Sequence, residues 1–509
     1  MKNRFRNILM ATAFIILIPK IGLADHPHTF GWVYTNGSPG GYAFPRNVGT
    51  DAEGNAYQIG SFTGTIDFDP GPGVDSLTAP NPYSVFLVKL SSNGTYQWVR
   101  QIPGGDEPSI AVAPNGDQII VSDFYGTADL DPTSGVDLHN SQNATHAFII
   151  KLRADGSFAW AHSFGGTYGV TYSEAATVNS LGNVYVAGES VNISDPIDFD
   201  PGPGVDLHSG NVFVTKYSSE GNYLGTQTWN LEVPFATDVL SPYALTTDSQ
   251  SNLYIAGGFS GQGDFDPSEN TDIRTSNGFR DAFITKINVD GSYGWTFTYG
   301  GPDIDKVMAV RTDSNDQVIA GGFTYTPGGT NVMSRPRIWK LNSNGQLQWM
   351  RSTGVIITTG GPSSVRVATD SSNNIYAFGS FQGTVDFDPE GNHETFTDVG
   401  GRDLFLTKVT GNNIYRRTQI ITGSGIEGAA NLSVDLHNHI VMGGAFSGTV
   451  DFDPGAGTQN RSAIGTPYDF FILKLNRNRF PNGTPVPVSN SVQITPGDVL
   501  PCRPPNCTP

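Results

Sequence analysis

Residues 62–90 read FTGTIDFDPGPGVDSLTAPNPYSVFLVKL. The stretch closes on a short apolar run ending in lysine, FLVKL at Lys89, and that token returns along the whole chain. It appears as FIIKL at Lys151, FVTKY at Lys216, FITKI at Lys286, RIWKL at Lys340, FLTKV at Lys408 and FILKL at Lys474. Successive lysines stand 62, 65, 70, 54, 68 and 66 residues apart. A steady period filled with strand-like pieces marks a repeat architecture, in which each unit buries its faces against its neighbours.

Each copy contains four strand-like pieces bounded by turn residues, with no competing helical period. The first runs into a polar turn, as at Ile110–Ala113 before Pro114-Asn115-Gly116, and the second follows it, as in Asn252-Leu253-Tyr254-Ile255-Ala256-Gly257. The lysine-ended run is the third. The fourth carries an aromatic after a tight turn, as in Asp155-Gly156-Ser157-Phe158-Ala159-Trp160. Trp98, Trp160, Trp229, Trp295 and Trp349 are read into this place in copies one to five, and Tyr415 in copy six. Copy seven stops at Lys474-Leu475 without a fourth strand, and Thr29-Phe30-Gly31-Trp32-Val33-Tyr34 supplies the missing piece. The expected fold is therefore all-β: a single seven-bladed β-propeller of four-stranded antiparallel blades, its last blade closed by the N-terminal strand. Phe86, Val88 and Leu90 on one face of the third strand and Leu87 on the other fit a blade sandwiched between two neighbours. Phe62, Phe124, Phe259, Phe323, Phe381 and Phe446 recur after the second strand and are assigned, with the tryptophans, to packing between blades.

Among 509 residues, charged side chains make up only 15%, whereas there are 62 Gly and 33 Pro, as suits many short strands joined by turns. The net charge of −18 disfavours nucleic acid and anionic lipid as partners. Lys2, Arg4 and Arg6, the apolar stretch Ile8–Ile18 and Gly22-Leu23-Ala24 read as a signal peptide over 1–24. Its removal takes away four positive residues and shifts the charge to −22. The ring then covers 25–476, and a Pro-rich, extended tail covers 477–509. No later run is long and apolar enough to span a bilayer. Cys502 and Cys507 lie in the tail, where they are able to close a small loop in an oxidising compartment. A secreted, monomeric protein is expected.

The distinctive motif lies between the second and third strands. It is DFDPGPGVD at Asp67, Asp69 and Asp75 and again at Asp198, Asp200 and Asp206, and DLDPTSGVD at Asp129, Asp131 and Asp137. Shorter forms stand at Asp264 and Asp266, Asp386 and Asp388, and Asp451 and Asp453. In extended backbone the paired aspartates face one way and the residue between them faces inward. Two readings stand. The carboxylates form hard-cation sites for calcium, or they cap the turn by accepting its amides. Acidic residues in the neighbouring loops (Asp106, Glu107, Glu174, Asp303, Asp305, Glu427) suggest an acidic ring, interrupted in copy five by Thr326–Asn331, Arg335 and Arg337. The recurring lysine is read either as a partner for a loop aspartate or as a solvated strand end.

These tokens, NxYvaGxFxGTvDFDPG, then DxFxxKl, then dGxxxW, resemble the bacterial β-propeller repeat family called SBBP over about residues 29–476. The resemblance implies an exported or surface propeller with no established reaction. The dGxxxW token is also similar to that of quinone-dependent dehydrogenase propellers, which usually have eight blades. The nine histidines form only two close pairs, His26/His28 and His437/His439, and no HExxH, GxSxG or Walker loop is present. A reaction centre needs asymmetry, which a motif repeated in six copies lacks. The expected function is thus a non-catalytic scaffold that binds a protein or glycan. The alternative is a polysaccharide-active or quinone-dependent enzyme working at the central opening.

Overall fold

In a computed structural model of the chain, the first copy sets the pattern. Strands Ala43–Thr50, Ala56–Phe62, Ser84–Leu90 and Tyr96–Ile102 pair in that order, each antiparallel to the last. The description covers residues 27–478 apart from 81–82, 106, 192–194, 230, 233–239, 327–332, 357–364 and 466, and all regular structure in it is β. All but Asn478 lie in the compact unit that ends at Arg477. The proposed signal peptide and nearly all of the tail fall outside the described residues.

The chain is a β-propeller, and the reason is visible in its third strand. Phe86, Val88 and Leu90 pack into an apolar cluster with Phe470 and Ile472 of the last copy. Val85 and Leu87, pointing the opposite way, join Ile120, Phe148 and Ile150 of the second. Every core cluster likewise draws on two neighbouring copies, as where Tyr254 and Ala256 meet Val318 and Trp339. A sheet apolar on both faces has no stable existence alone, so the sheets stack radially until the first meets the last.

That meeting is made by the N-terminal strand. Thr29–Asn36 pairs antiparallel with Asp469–Asn476, placing Trp32 opposite Lys474 and Phe30 opposite Leu475. The closing sheet therefore contains strands from both ends of the described chain, with Glu427–Val434 as its innermost member.

The expectation of a single seven-bladed propeller of four-stranded blades is corrected. The hydrogen bonding gives five blades rather than seven, four of four strands and one extended to six. The second and third copies instead share one eight-stranded sheet, joined where Thr145 pairs with Val170 and its amide donates to the Gly169 carbonyl. The sequence explains the fusion. Between Asp137 and Lys151 there is no Gly or Pro, so the strand Leu138–Leu152 runs on for 15 residues where other copies break. The six-stranded sheet arises because Tyr415–Gly423 continues far enough for Thr422 and Gly423 to pair with Asp451 and Val450 of the next copy.

The fourth strand needs a second correction. Trp98, Trp160, Trp295 and Trp349 do stand opposite the recurring lysines, but Gly225 takes that place in copy three and Arg417 in copy six. Trp229 lies four residues further on, opposite Val212. The tryptophans in register reach the next copy. Trp32, Trp160, Trp295 and Trp349 donate their indole N–H to carbonyls of Ser92, Ser219, Ser343 and Gly411. The indoles lie so close to the facing turn that a Cβ on Gly94, at φ +86°, would come within 2.6 Å of Trp32.

Phe68 sits in one of these seams, fully buried among Phe62, Phe86 and Phe470. Phe68→Ala should cost about 3–5 kcal/mol in denaturant unfolding. Val74→Ala, six residues away at an 80% exposed side chain, should change stability by less than about 0.5 kcal/mol.

Candidate functional site

The aspartate loops protrude as small hairpins such as Thr65–Asp67 with Ser76–Thr78. The residue between the paired aspartates is buried in all six: Phe68, Leu130, Phe199, Phe265, Phe387 and Phe452. The inward-facing middle residue is therefore a plug in the seam. The preceding copy grips the same loop from outside. Tyr34 Oη donates to the Phe68 carbonyl at 2.6 Å, Asn36 Nδ2 to the Asp67 carbonyl at 2.6 Å, and Trp229 Nε1 to the Phe265 carbonyl at 3.1 Å.

The carboxylates serve the loop's own backbone. Oδ1 of Asp67, Asp129, Asp198, Asp264, Asp386 and Asp451 accepts the amides of Asp69, Asp131, Asp200, Asp266, Asp388 and Asp453 at 3.0–3.2 Å. In all but the Asp386 loop the same oxygen also accepts the amide eight residues on, at 2.7–2.9 Å. The second aspartates accept a further amide each, as Gly71 gives to Asp69 at 2.8 Å. Asp388 differs in taking a charge-assisted bond from buried Arg351 of the preceding copy. Asp75 and Asp206 accept the hydroxyls of Tyr96 and Tyr223, and Asp137 lies 3.5 Å from His139. This is the capping pattern of Asx turns. A calcium ion there would compete with these donors for the same oxygens.

One group of three potential ligands converges among the described residues, and it excludes the loop aspartates: Asp435, His437 and His439. It too is a turn cap. Asp435 Oδ1 accepts the amides of His437 and His439, while Oδ2 meets Lys474 Nζ at 3.1 Å and His439 Nδ1 at 3.0 Å. A lysine ammonium occupies the place a cation would take.

Asp435 belongs to a repeated element that the motif search passed over. Several of the recurring lysines reach not the loop aspartates but an aspartate in the turn before the second strand: Lys151 to Asp117 at 3.0 Å, Lys340 to Asp313 at 2.9 Å and Lys474 to Asp435 at 3.1 Å. The same turn carries a D-x-x-x-N-x-Y spacing at Asp51, Asp248 and Asp370, whereas Asp313 and Asp435 hold the first position without the Asn and Tyr. In Asp248, Oδ1 caps the amides of Gln250 and Asn252 while Oδ2 accepts from Asn252 Nδ2 and Tyr254 Oη.

The acidic ring does not form as an exposed band. Asp305 and Glu427 are buried, and Asp106 lies outside the described residues. Burial and neighbouring Glu189 push the Glu174 carboxyl up to about 7. Burial, with the adjacent Asp403, pushes Glu427 up to about 9. In copy five, Arg337 Nε bonds Thr324 Oγ1 at 3.4 Å, while residues 327–332 lie outside the description.

The first strands of successive copies line a central opening of about 470 Å³. Here the copies diverge. Arg46, Glu107, Glu174, Arg311, Arg366 and Asn431 all face it, and Arg46 meets Glu107 at 3.4 Å.

The chain is similar to several known proteins. No family model matches the chain, so the SBBP resemblance is not shown. An uncharacterized WD repeat-containing protein, L264 of Acanthamoeba polyphaga mimivirus, is 24% identical over 75% of this chain. The chain spans about a third (33%) of that relative's length. Among solved structures, the Dos1 propeller is similar at TM-score 0.41 and 7% identity, covering 89% of this chain and 97% of that one. The C-terminal WD40 domain of Sif2 gives 0.35 and 8%, covering 87% and 99%. A PL25 ulvan lyase gives 0.36 and 11%, covering 78% and 96%. Among the described residues no helix is long and apolar enough to cross a membrane.

Three outcomes are expected. Glu427 holds a proton in the folded ring that it releases in the unfolded chain, so stability should fall as pH rises from about 4.5 towards 9. Glu427→Gln should flatten that slope in urea titrations at pH 5, 7 and 9. Asp67→Ala should cost about 1–2 kcal/mol through the loss of the one oxygen that accepts two amides, and Asp67→Asn distinctly less, by the same unfolding assay. Melting should be the same in millimolar calcium and in chelator if capping alone holds the loops; a rise in Tm removed by Asp69→Asn would assign calcium to them.

Proposed function

We propose that the chain is an exported, non-catalytic propeller that works as a binding scaffold for a protein or glycan ligand. The observation that carries this reading is where the repeated side chains are used. The loop aspartates cap their own turns, the lysines hold turn aspartates and neighbouring carbonyls, and the in-register tryptophans bridge to the next copy. Each repeated group is occupied in keeping the ring together. Recognition then falls to what differs between copies, and the central opening is lined by such residues. Among the described residues of that lining the ionisable groups are arginines, carboxylates and a tyrosine.

Export rests on the signal-like segment over 1–24 and calcium on the loop motif; both are part of the proposal. The test is a glycan and protein-ligand screen on protein purified from its native host, with metal and cofactor analysis alongside. Binding without turnover, weakened at least tenfold by Glu174→Gln and unaffected by Val136→Ala, is the expected outcome. A stoichiometric organic cofactor, or conversion of a captured glycan, would instead make it an enzyme.

A further inference from the structure

Two half-buried arginines in the central opening have no acidic partner among the described residues. Arg311 is in the strand Lys306–Thr312 and Arg366 in the neighbouring first strand Arg366–Thr369, and both line the opening. Nη1 of Arg366 is buried with no hydrogen-bond partner among the described residues. Among the described residues, Arg311 Nη1 donates to the Val310 carbonyl alone, at 2.8 Å. Burial lowers both guanidinium pKa values. Arg366 is brought to about 10, with Arg311 and Arg46 adding like-charge repulsion. No carboxylate contributes at either group. The opening's carboxylates are elsewhere: Glu107 lies against Arg46 at the mouth, and Glu174 is influenced by Glu189, Glu107 and Asp123 rather than by any arginine.

Half-buried guanidinium groups that face one another's charge without a counter-charge are costly, and in a chain of net charge −18 they do not arise from a general excess of base. Arginine's rigid fork of donors matches a carboxylate, sulfate or phosphate in two-point contact. We infer that Arg311 and Arg366 form an oxyanion-binding site in the central opening, which takes a small anionic ligand or the anionic group of a larger one. The inference rests on the scaffold reading and names the chemistry its central site recognises. The cavity of about 470 Å³ exceeds a single sulfate, leaving room for a body attached to the anion.

The experiment uses the full chain and three probes, sulfate, inorganic phosphate and citrate, each against chloride at matched ionic strength. Tm and calorimetric titration are read for wild type, Arg366→Gln, Arg311→Gln and, as a surface control, Arg153→Gln. At least one probe should raise the wild-type and Arg153→Gln Tm by several degrees and bind with saturation. Affinity should fall tenfold or more in Arg366→Gln and Arg311→Gln, and comparison of the tetrahedral probes with citrate tells which oxyanion geometry is preferred. Without any probe, Arg366→Gln should melt at or above the wild-type temperature, because it removes an uncompensated charge; a purely structural arginine would give a lower Tm. Equal responses in wild type and both channel variants, or no saturable binding of any probe, overturn the site. In that event ligand capture in the screen would still uphold the scaffold, whereas turnover would remove the scaffold and leave the anion site standing.

Discussion

The structure depends on contact between sheets that are apolar on both sides. Phe86 and Leu87 are adjacent in sequence, yet one belongs to the seam with the last copy and the other to the seam with the second. Neither face has a solvated option, so a sheet is stable only between two others, and stacking must continue until the edges meet. The motif that looks most like chemistry belongs to this constraint. Phe68 and its counterparts enter the seams, the flanking aspartates fix the turn that delivers them, and Tyr34 and Asn36 hold the loop from the other side.

Much of the architecture is legible in the sequence because two periodicities coincide. Alternation within the third strand reports that both faces are buried, and the spacing of about 64 residues reports the repeat. The fragment around Trp32 completes the last sheet because the same alternation fits beside Lys474. What escaped is the length of strands at their outer ends. A run without Gly or Pro between Asp137 and Lys151 was visible, but its effect depends on Thr145 lying beside Val170, which no local pattern encodes. Trp229 misled for a related reason: matching by residue type put it in the place that register gives to Gly225.

The site was less legible than the fold. Repetition draws attention to the loop aspartates, whereas binding chemistry of the kind proposed requires residues that are not repeated. Arg311 and Arg366 carry no motif, and only the circular arrangement of first strands brings them to one opening. The D-x-x-x-N-x-Y turn is the opposite case. It is a regular pattern that marks a turn cap, and only once successive copies are seen together does the same turn prove to hold lysines where the pattern has lapsed, at Asp117, Asp313 and Asp435.

Closure by the segment Thr29–Asn36 has a consequence for biogenesis. The first strand of the ring to be synthesised has as its partner the last, Asp469–Asn476, more than four hundred residues later. Until that partner emerges, a nascent chain keeps an amphipathic ribbon containing Phe30 and Trp32 without its native mate, and the growing array ends in open hydrogen-bonding groups. Such long-range pairing is slow and invites association between incomplete chains. A ribosome that stalls before the final repeat would therefore release a product able to recruit the missing ribbon from another molecule.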